Sequence, residues 1–250
     1  MRIVSLAPNM TEILFALGLG DRIVGVTSFC DYPPEAKKKP KIGGMSNPSL
    51  EAVVSLKPDI VVMTTDGNPK EFEERLRSLK IRTYVFWGRQ ISELPQGLRE
   101  MGTALGVKEK ADTLAKEIEE SLDRLKRKHR GYQKRKILFV VWPEPLIVAG
   151  SGSIAHEAIT ILGGENIAAK AATSYPKYSL EEILRQSPDI IFIGKGMDKE
   201  MDKVSQGFLG RLRNAPAVRN KNVFFVNEYL YRLGPRTMKG IEELAMYMER

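Results

Sequence analysis

The chain has 250 residues, 42% hydrophobic and 28% charged, with a formal net charge of +8. That length and balance admit one large globular domain or two smaller ones, each with its own core. No run of eighteen apolar residues exists to cross a membrane as a helix. A basic excess is a footprint of nucleic-acid or anionic-surface binding, but here Lys and Arg are mixed with 31 acidic residues. The densest basic run, residues 124–136, closes a long helical stretch and reads as a solvated face, so nucleic acid is not an expected partner. The single cysteine, Cys30, excludes an internal disulfide and a cysteine-cluster metal site. It lies in "TSFCDYPP" with no His near it along the chain, as a small loop residue rather than a nucleophile. The start, "MRIVSLAPNM", turns polar too soon for a signal peptide. The chain is therefore cytosolic, or the mature form of an exported protein. Abundant Lys, Glu and Arg beside scarce Gln is a bias of thermophile proteins.

In chain order, "RIVSL" (2–6) is a strand rich in β-branched residues. "PNMTEILFALGLG" follows as a helix, with Asn9 as N-cap, Glu12 as its capping-box partner and glycines to end it. "RIVGVT" (22–27) is a second strand, "SLEAVVSL" a short helix, "DIVVM" a strand, "PKEFEERLRSL" a helix and "RTYVF" a strand. Strands spaced by helices predict a parallel α/β layer. The second half repeats this style. "KILFVVW" (136–142) and "LIVAG" are strands, "SIAHEAITILGG" and "SLEEILRQ" helices, "DIIFIG" and "NVFFVN" (222–227) strands, and "RTMKGIEELAMYMER" a closing helix. Between the halves, "VKEKADTLAKEIEESLDRLKRKHRG" carries Ala111, Leu114, Ala115, Ile118, Leu122 and Leu125 at spacings of three and four. It predicts a helix of about 20 residues, about 30 Å long, either a strut between two lobes or a helix packed on one sheet.

One short text occurs twice. "SLEAVVSLKPDIVVM" begins at Ser49 and "SLEEILRQSPDIIFI" at Ser179. In each, Ser caps a short helix, and Leu50, Val53 and Val54, like Leu180, Ile183 and Leu184, fall at i, i+3 and i+4 and are expected to face the core. Pro58 and Pro188 end the helix, and Asp59 and Asp189 lead into a buried strand. Glu51 and Glu181 lie off the stripe at an exposed helix start, where the dipole favours a carboxylate. They either stabilise the helix start or act as acidic anchors, one per lobe, for a basic partner.

The order and spacing of "RIVSLAPNMTEILFALG", "GVTSFCDYPPEA", "NPSLEAVVSLKPDIVV", "GGENIA", "SLEEILRQSPDIIFI" and "GPRTMKGIEELA" give a resemblance that runs nearly end to end. The chain resembles the substrate-binding proteins of ABC importers for vitamin B12, ferric siderophores or haem, and is most similar to the vitamin B12-binding members. The resemblance implies an α/β fold of two Rossmann-like lobes joined by a single long backbone α-helix. The expected bounds are 1–106 for the first lobe, 107–131 for the helix and 132–250 for the second lobe. It implies ligand capture in the cleft between lobes without chemistry, a small hinge closure, and a periplasmic or membrane-anchored extracellular location. The partners implied are the transmembrane permease subunits with their ATPase, approached by a monomer. By position in the motif, Glu51 and Glu181 become the residues that dock on permease arginines.

A flat, largely apolar corrin stacks on aromatic rings, with a few polar groups on its rim. The expected ligand contacts are Phe29, Asp31 and Tyr32 in "SFCDYPP", Trp87, Trp142, Tyr175 in "TSYPKY", and Tyr229, Tyr231 and Arg232 in "NEYLYRLGPR". The chain departs from the vitamin B12-binding members after "DIVVM", where Thr64 stands at a position those members can give to Trp. No covalent cofactor is expected, and the ligand is cobalamin or a related corrinoid. The alternative is an iron chelate, siderophore or haem; an anionic chelate would use Arg89, Arg232 and Arg236. Only His129, on the long helix, and His156 are present, too few for a bare-ion site, although His156 leaves an axial ligand to cobalt or iron open. Two other classes stand beside this reading. "GSGS" before a helix is similar to a phosphate-cradling loop but lacks the full G-x-G-x-x-G, so a nucleotide-binding enzyme is not the expected class. A cytosolic carrier or sensor is the reading left by the missing leader.

Overall fold

A computed structural model describes residues 1–131, 133–195 and 200–250, with the side chains of residues 200–203 left aside. The chain divides into two compact units, Met1–Glu119 with Leu233–Pro235, and Glu120–Arg232 with Arg236–Arg250. Both are α/β. The expected bounds had placed the linking helix in a segment of its own. Instead the division falls inside that helix, and a short segment near the C-terminus belongs with the first unit because Leu233 O accepts a hydrogen bond from Asn9 Nδ2 at 3.3 Å.

In the first unit the strands are β1 (Ile3–Ser5), β2 (Ile23–Val26), β3 (Ile60–Thr64) and β4 (Arg82–Phe86), all parallel in the order β2-β1-β3-β4. The intervening helices are α1 (Pro8–Ala16), α2 (Leu50–Ser55) and α3 (Lys70–Ser78). Val4, Leu6, Val53, Val61, Met63 and Leu76 form one buried cluster on this sheet. The capping box expected at Asn9 and Glu12 does not form. Ala7 is the N-cap, Pro8 takes the first turn, and both Asn9 and Glu12 are buried.

After β4 the chain forms α4 (Leu94–Leu105) and then α5 (Lys108–Lys128), the predicted long helix, at 21 residues. Ala111, Ala115, Ile118 and Leu122 are its buried stripe. Gly102 of α4 lies against Ala111, where any side chain would collide with the Ala111 methyl. Arg99 of α4 forks onto Glu119 of α5 with both bonds at 2.7 Å, which raises the guanidinium pKa and lowers that of the carboxylate.

The second unit repeats the first. Its strands are β5 (Lys136–Pro143), β6 (Leu146–Val148), β7 (Glu165–Asn166), β8 (Ile190–Gly194) and β9 (Val223–Val226). β7, β5, β8 and β9 reproduce β2, β1, β3 and β4 as parallel neighbours. β6 is an addition: it folds back on β5 as an antiparallel hairpin through Glu144 and Pro145. The helices are α6 (Ile154–Ile161), α7 (Leu180–Gln186), α8 (Glu200–Arg211), α9 (Pro216–Arg219) and α10 (Thr237–Met248). Leu138, Val140, Ile183, Ile191, Ile193, Phe208 and Leu212 build its core.

The twice-written text forms the same joint in both units. Ser49 Oγ accepts from Ala52 N at 3.2 Å, and Ser179 Oγ from Glu182 N at 3.1 Å. Asp59 Oδ2 accepts from Arg2 N at 2.5 Å, and Asp189 Oδ2 from Lys136 N at 2.7 Å. The basic side chains of Arg2 and Lys136 then reach the carbonyls of Leu56 and Gln186 at the ends of α2 and α7. Lys57 and Ser187 both take positive φ, at 46° and 52°. Each joint thus pins the start of a central strand to the helix and strand beside it. One expectation fails at these corners. Val54 and Leu184 are not core residues but are each 40% exposed, because these one- to two-turn helices fully bury only Val53 and Ile183.

Candidate functional site

In a parallel α/β sheet the loops leaving the carboxyl ends of the strands carry the ligand contacts. Most predicted contact residues fall at such ends. Phe29, Asp31 and Tyr32 follow β2, and Trp87 follows β4; Trp142 lies near the end of β5; Tyr175 follows β7; Tyr229, Tyr231 and Arg232 follow β9. Phe29, Tyr32, Trp87, Trp142 and Tyr175 are between 39% and 54% exposed, and they are the exposed aromatic rings among the described residues. Burying a ring normally gains free energy. Each unit thus carries bare rings collected at one kind of loop end.

The rings are held, not merely exposed. Phe29 is turned outward because its neighbour Cys30 is turned in, where its sulfur lies 3.1 Å from both Thr11 Oγ1 and Thr27 Oγ1. Lys41 Nζ ties the same loop through the carbonyls of Cys30 and Ala36, each at 3.3 Å. Trp87 Nε1 donates to Glu100 Oε2 at 2.6 Å, and Gln96 Nε2 donates to the other carboxylate oxygen at 2.9 Å. Those two bonds, the indole first, hold the Glu100 carboxyl below the usual range. Trp142 Nε1 donates to Glu144 O at 2.7 Å. Both indoles thus have their one polar atom satisfied internally and present only ring faces. Tyr175 sits on a segment paired to β6, with Val148 N on Pro176 O at 3.1 Å and Tyr178 N on Leu146 O at 3.0 Å. Gly150 permits that approach, since a Cβ there would lie 2.5 Å from Thr173 O.

The C-terminal group is different in character. Tyr229 is half-buried under the Arg236 guanidinium, 5.4 Å from its ring centroid. Tyr231 is packed edge-on to Phe139 at 6.3 Å and covers Gly194. Its hydroxyl donates to Val141 O at 3.1 Å, and burial pushes its pKa far above the usual phenol value. Tyr231 therefore braces β5 and β8. Arg232 is partly buried, and its carbonyl accepts from Thr237 Oγ1 at 3.1 Å. Asp31 is likewise partly buried. Arg89 stays exposed but is engaged, its guanidinium reaching Thr65 Oγ1 at 3.3 Å and Thr65 O at 3.2 Å.

Three positions bear on alternatives. Thr64 ends β3 and is only 2% exposed, with its hydroxyl accepting from Asp66 N at 3.2 Å; it caps a turn inside the fold. His156 Nδ1 lies 3.1 Å from Asn166 Nδ2, and Ala168 N donates to Asn166 Oδ1 at 3.0 Å, fixing which end of the amide faces the ring. An amide N–H can only donate, so Nδ1 is the acceptor and Nε2 carries the proton of the neutral ring. His129 is buried at the end of α5, with Nε2 3.2 Å from Glu249. No group of three or more His, Cys, Asp or Glu able to hold a metal ion occurs among the described residues.

Sequence reasoning passed over the asparagines that shape these loop ends. Asn68 Nδ2 donates to Leu6 O and Met45 O at 2.9 Å each, while its Oδ1 accepts from Thr64 N at 2.9 Å, so one amide joins the ends of β1 and β3. Asn227, just beyond β9, donates its backbone N–H and its Nδ2 to the two carboxylate oxygens of Glu243, at 3.0 and 2.9 Å. A polar residue just beyond an apolar run and before Pro, as in "DGNPK", was the available signal.

Glu51 and Glu181 are both exposed at the first turn of their helices. The Ser179 hydroxyl and the residue's own backbone N–H lower the Glu181 carboxyl pKa, the backbone bond contributing most. Its neighbour Glu182 is instead occupied by Arg185 and Gln186, with Arg185 pulling its pKa down to about 2.

The chain is 28% identical to the vitamin B12-binding protein of Vibrio parahaemolyticus over 250 residues, covering 99% of this chain and 89% of that protein. Among solved structures it is similar to the periplasmic vitamin B12-binding protein BtuF of Vibrio cholerae (TM-score 0.87, 28% identity, 99% of this chain and 96% of that one). It is also similar to the periplasmic haem-binding protein RhuT of Roseiflexus sp. RS-1 in apo form (TM-score 0.86, 28% identity, 98% and 97%). The family profile described as periplasmic binding protein matches residues 3–230, and with it the chain belongs to the periplasmic binding protein family.

Proposed function

We propose that this chain is the substrate-binding protein of an ABC importer and that its cargo is cobalamin or a related corrinoid. The observation that carries this is the set of exposed rings, Phe29, Tyr32, Trp87, Trp142 and Tyr175, all near strand carboxyl ends. A corrin offers a broad face with few polar atoms, and stacking on fixed rings suits it. Asp31, Tyr229 and Arg232 are the proposed polar contacts to its rim, and Tyr231 the brace behind them. The protein binds without chemistry and hands its cargo to the permease. It docks as a monomer through Glu51 and Glu181 on arginines of the transmembrane subunits, in the periplasm or at an outer cell surface. The vitamin B12-binding relatives support the cargo assignment.

A second reading, haem, is favoured by Tyr32 and Tyr175, whose exposed phenols are of the kind that ligate haem iron, and by the haem-binding relative. A thermal-shift series with cyanocobalamin, cobinamide, haem and a ferric siderophore separates the readings. At a hundredfold excess over Kd, a true ligand stabilises by about 2.7 kcal/mol, a rise of roughly 5–10 °C for a chain this long. The corrinoids are expected to give that rise. A shift with haem alone would move the assignment to haem, and no shift with any of the four would sink it.

A further inference from the structure

We propose that Val54 and Leu184 are the apolar half of two matched docking corners, and that the permease reads each corner as a carboxylate beside an aliphatic side chain. This rests on the docking role proposed above for Glu51 and Glu181. Among the described residues the exposed large hydrophobic side chains are few. Five are the rings near the strand ends, and Val54 and Leu184 are two of the remaining five. These two occupy the same place in the duplicated joint, one helical turn beyond Glu51 and Glu181, and each is 40% exposed. Residues three apart on a helix lie on one face. Beyond the shared Ser, Leu, Pro and Asp that build the joint, other positions differ between the units: Ala52 against Glu182, Ser55 against Arg185 and Lys57 against Ser187. On the exposed face within the two helices, the acidic and the aliphatic position stay alike in character.

The pair has a definite chemical complement. An arginine presents a flat, weakly hydrated guanidinium whose N–H fork suits a carboxylate, on a hydrocarbon stem that packs against apolar surface. A carboxylate with an aliphatic neighbour one turn away covers both parts. At Glu181 its own backbone N–H and the Ser179 hydroxyl lower the carboxyl pKa. Glu182, the other acid of that helix turn, is already committed to Arg185.

The test measures binding of the cyanocobalamin-loaded protein to the permease–ATPase complex of the same genome in lipid nanodiscs. Val54→Ser with Leu184→Ser is expected to weaken docking about tenfold, in line with loss of small apolar contacts at an interface, with unchanged salt dependence. Glu51→Gln with Glu181→Gln should weaken it and flatten the salt dependence. Leu79→Ser, at a residue 51% exposed on the first unit but outside the corner, is expected to leave docking unchanged. Wild-type docking by the Val54→Ser, Leu184→Ser protein, with docking lost in the glutamine variant, would overturn this proposal and leave the docking role standing. Wild-type docking by the glutamine variant would remove the docking role itself. Equal loss in Leu79→Ser would also overturn it, since the effect would not be local to the corners.

Discussion

Replacing Tyr231 by Phe separates bracing from ligand contact at a predicted contact residue whose hydroxyl is already used. The change keeps the ring against Phe139 and over Gly194 and removes only the hydroxyl that donates to Val141 O at 3.1 Å. A neutral hydrogen bond of this kind is worth about 1 kcal/mol net, and the carbonyl left behind is only half-buried, so water limits the loss. For a chain this long, 1 kcal/mol lowers Tm by about 2–4 °C. Calorimetric melting of the apo proteins measures it, and titration of indole fluorescence with cyanocobalamin gives the affinity beside it. Tm should fall by that amount, while Kd stays within about twofold, a difference near 0.4 kcal/mol, because the lost hydroxyl faces Val141 O. An unchanged Tm with a tenfold weaker Kd would refute the bracing role and make the hydroxyl a ligand group.

Alkaline pH tests the buried phenols together. Burial raises Tyr84 to about 12 and Tyr231 further still. The unfolded state releases both protons near pH 10 while the folded state keeps them, so their contribution is whole below pH 10 and is lost as pH rises toward 12. Tm should fall steeply across that window, and less so in a Tyr84→Phe, Tyr231→Phe double variant. Gly102→Ala should destabilise by about 1–3 kcal/mol in urea unfolding, although Ala favours helix, because the new methyl meets Ala111 of α5. Ser49→Ala and Ser179→Ala should each cost about 1 kcal/mol in the same measurement, the loss of one helix cap per unit.

The alternation of strands and helices was legible because parallel strands buried on both faces read as apolar runs, as in "DIVVM" and "DIIFIG". The long helix was legible for the opposite reason, its narrow stripe standing out from charged neighbours. α4 was missed although Leu94, Leu98, Met101 and Leu105 mark one buried face. Pro95, Gly97 and Gly102 interrupt its pattern, yet Pro95 belongs to the first turn, and the two glycines make room for Phe86 and Ala111. α8 was missed because Gly207 and Gly210 weaken its pattern around Phe208. At the start of α1, Asn9 looked like a cap. Its amide serves Leu233 instead, a partner 224 residues away that no local pattern announces.

The candidate site was readable as residue type and loop, since rings beside Gly, Pro and Ser at strand ends have few structural uses. Which rings stand exposed was not readable. Trp87 and Tyr231 both follow strands, and what divides them is Glu100 holding one outward and Val141 O holding the other in. Val54 and Leu184 show the limit of periodicity in short helices, where one core contact per turn leaves the next apolar residue outside.

The most direct measurement is isothermal titration of the purified protein with cyanocobalamin, beside a variant carrying both Trp87→Ala and Trp142→Ala. The wild-type protein should bind one equivalent. The variant should fold, because both rings are only partly covered by the protein, and bind more than tenfold more weakly through loss of stacking contacts. Equal affinity in the two proteins would contradict the exposed rings as the ligand surface, and absence of binding in the wild type would contradict the corrinoid assignment itself.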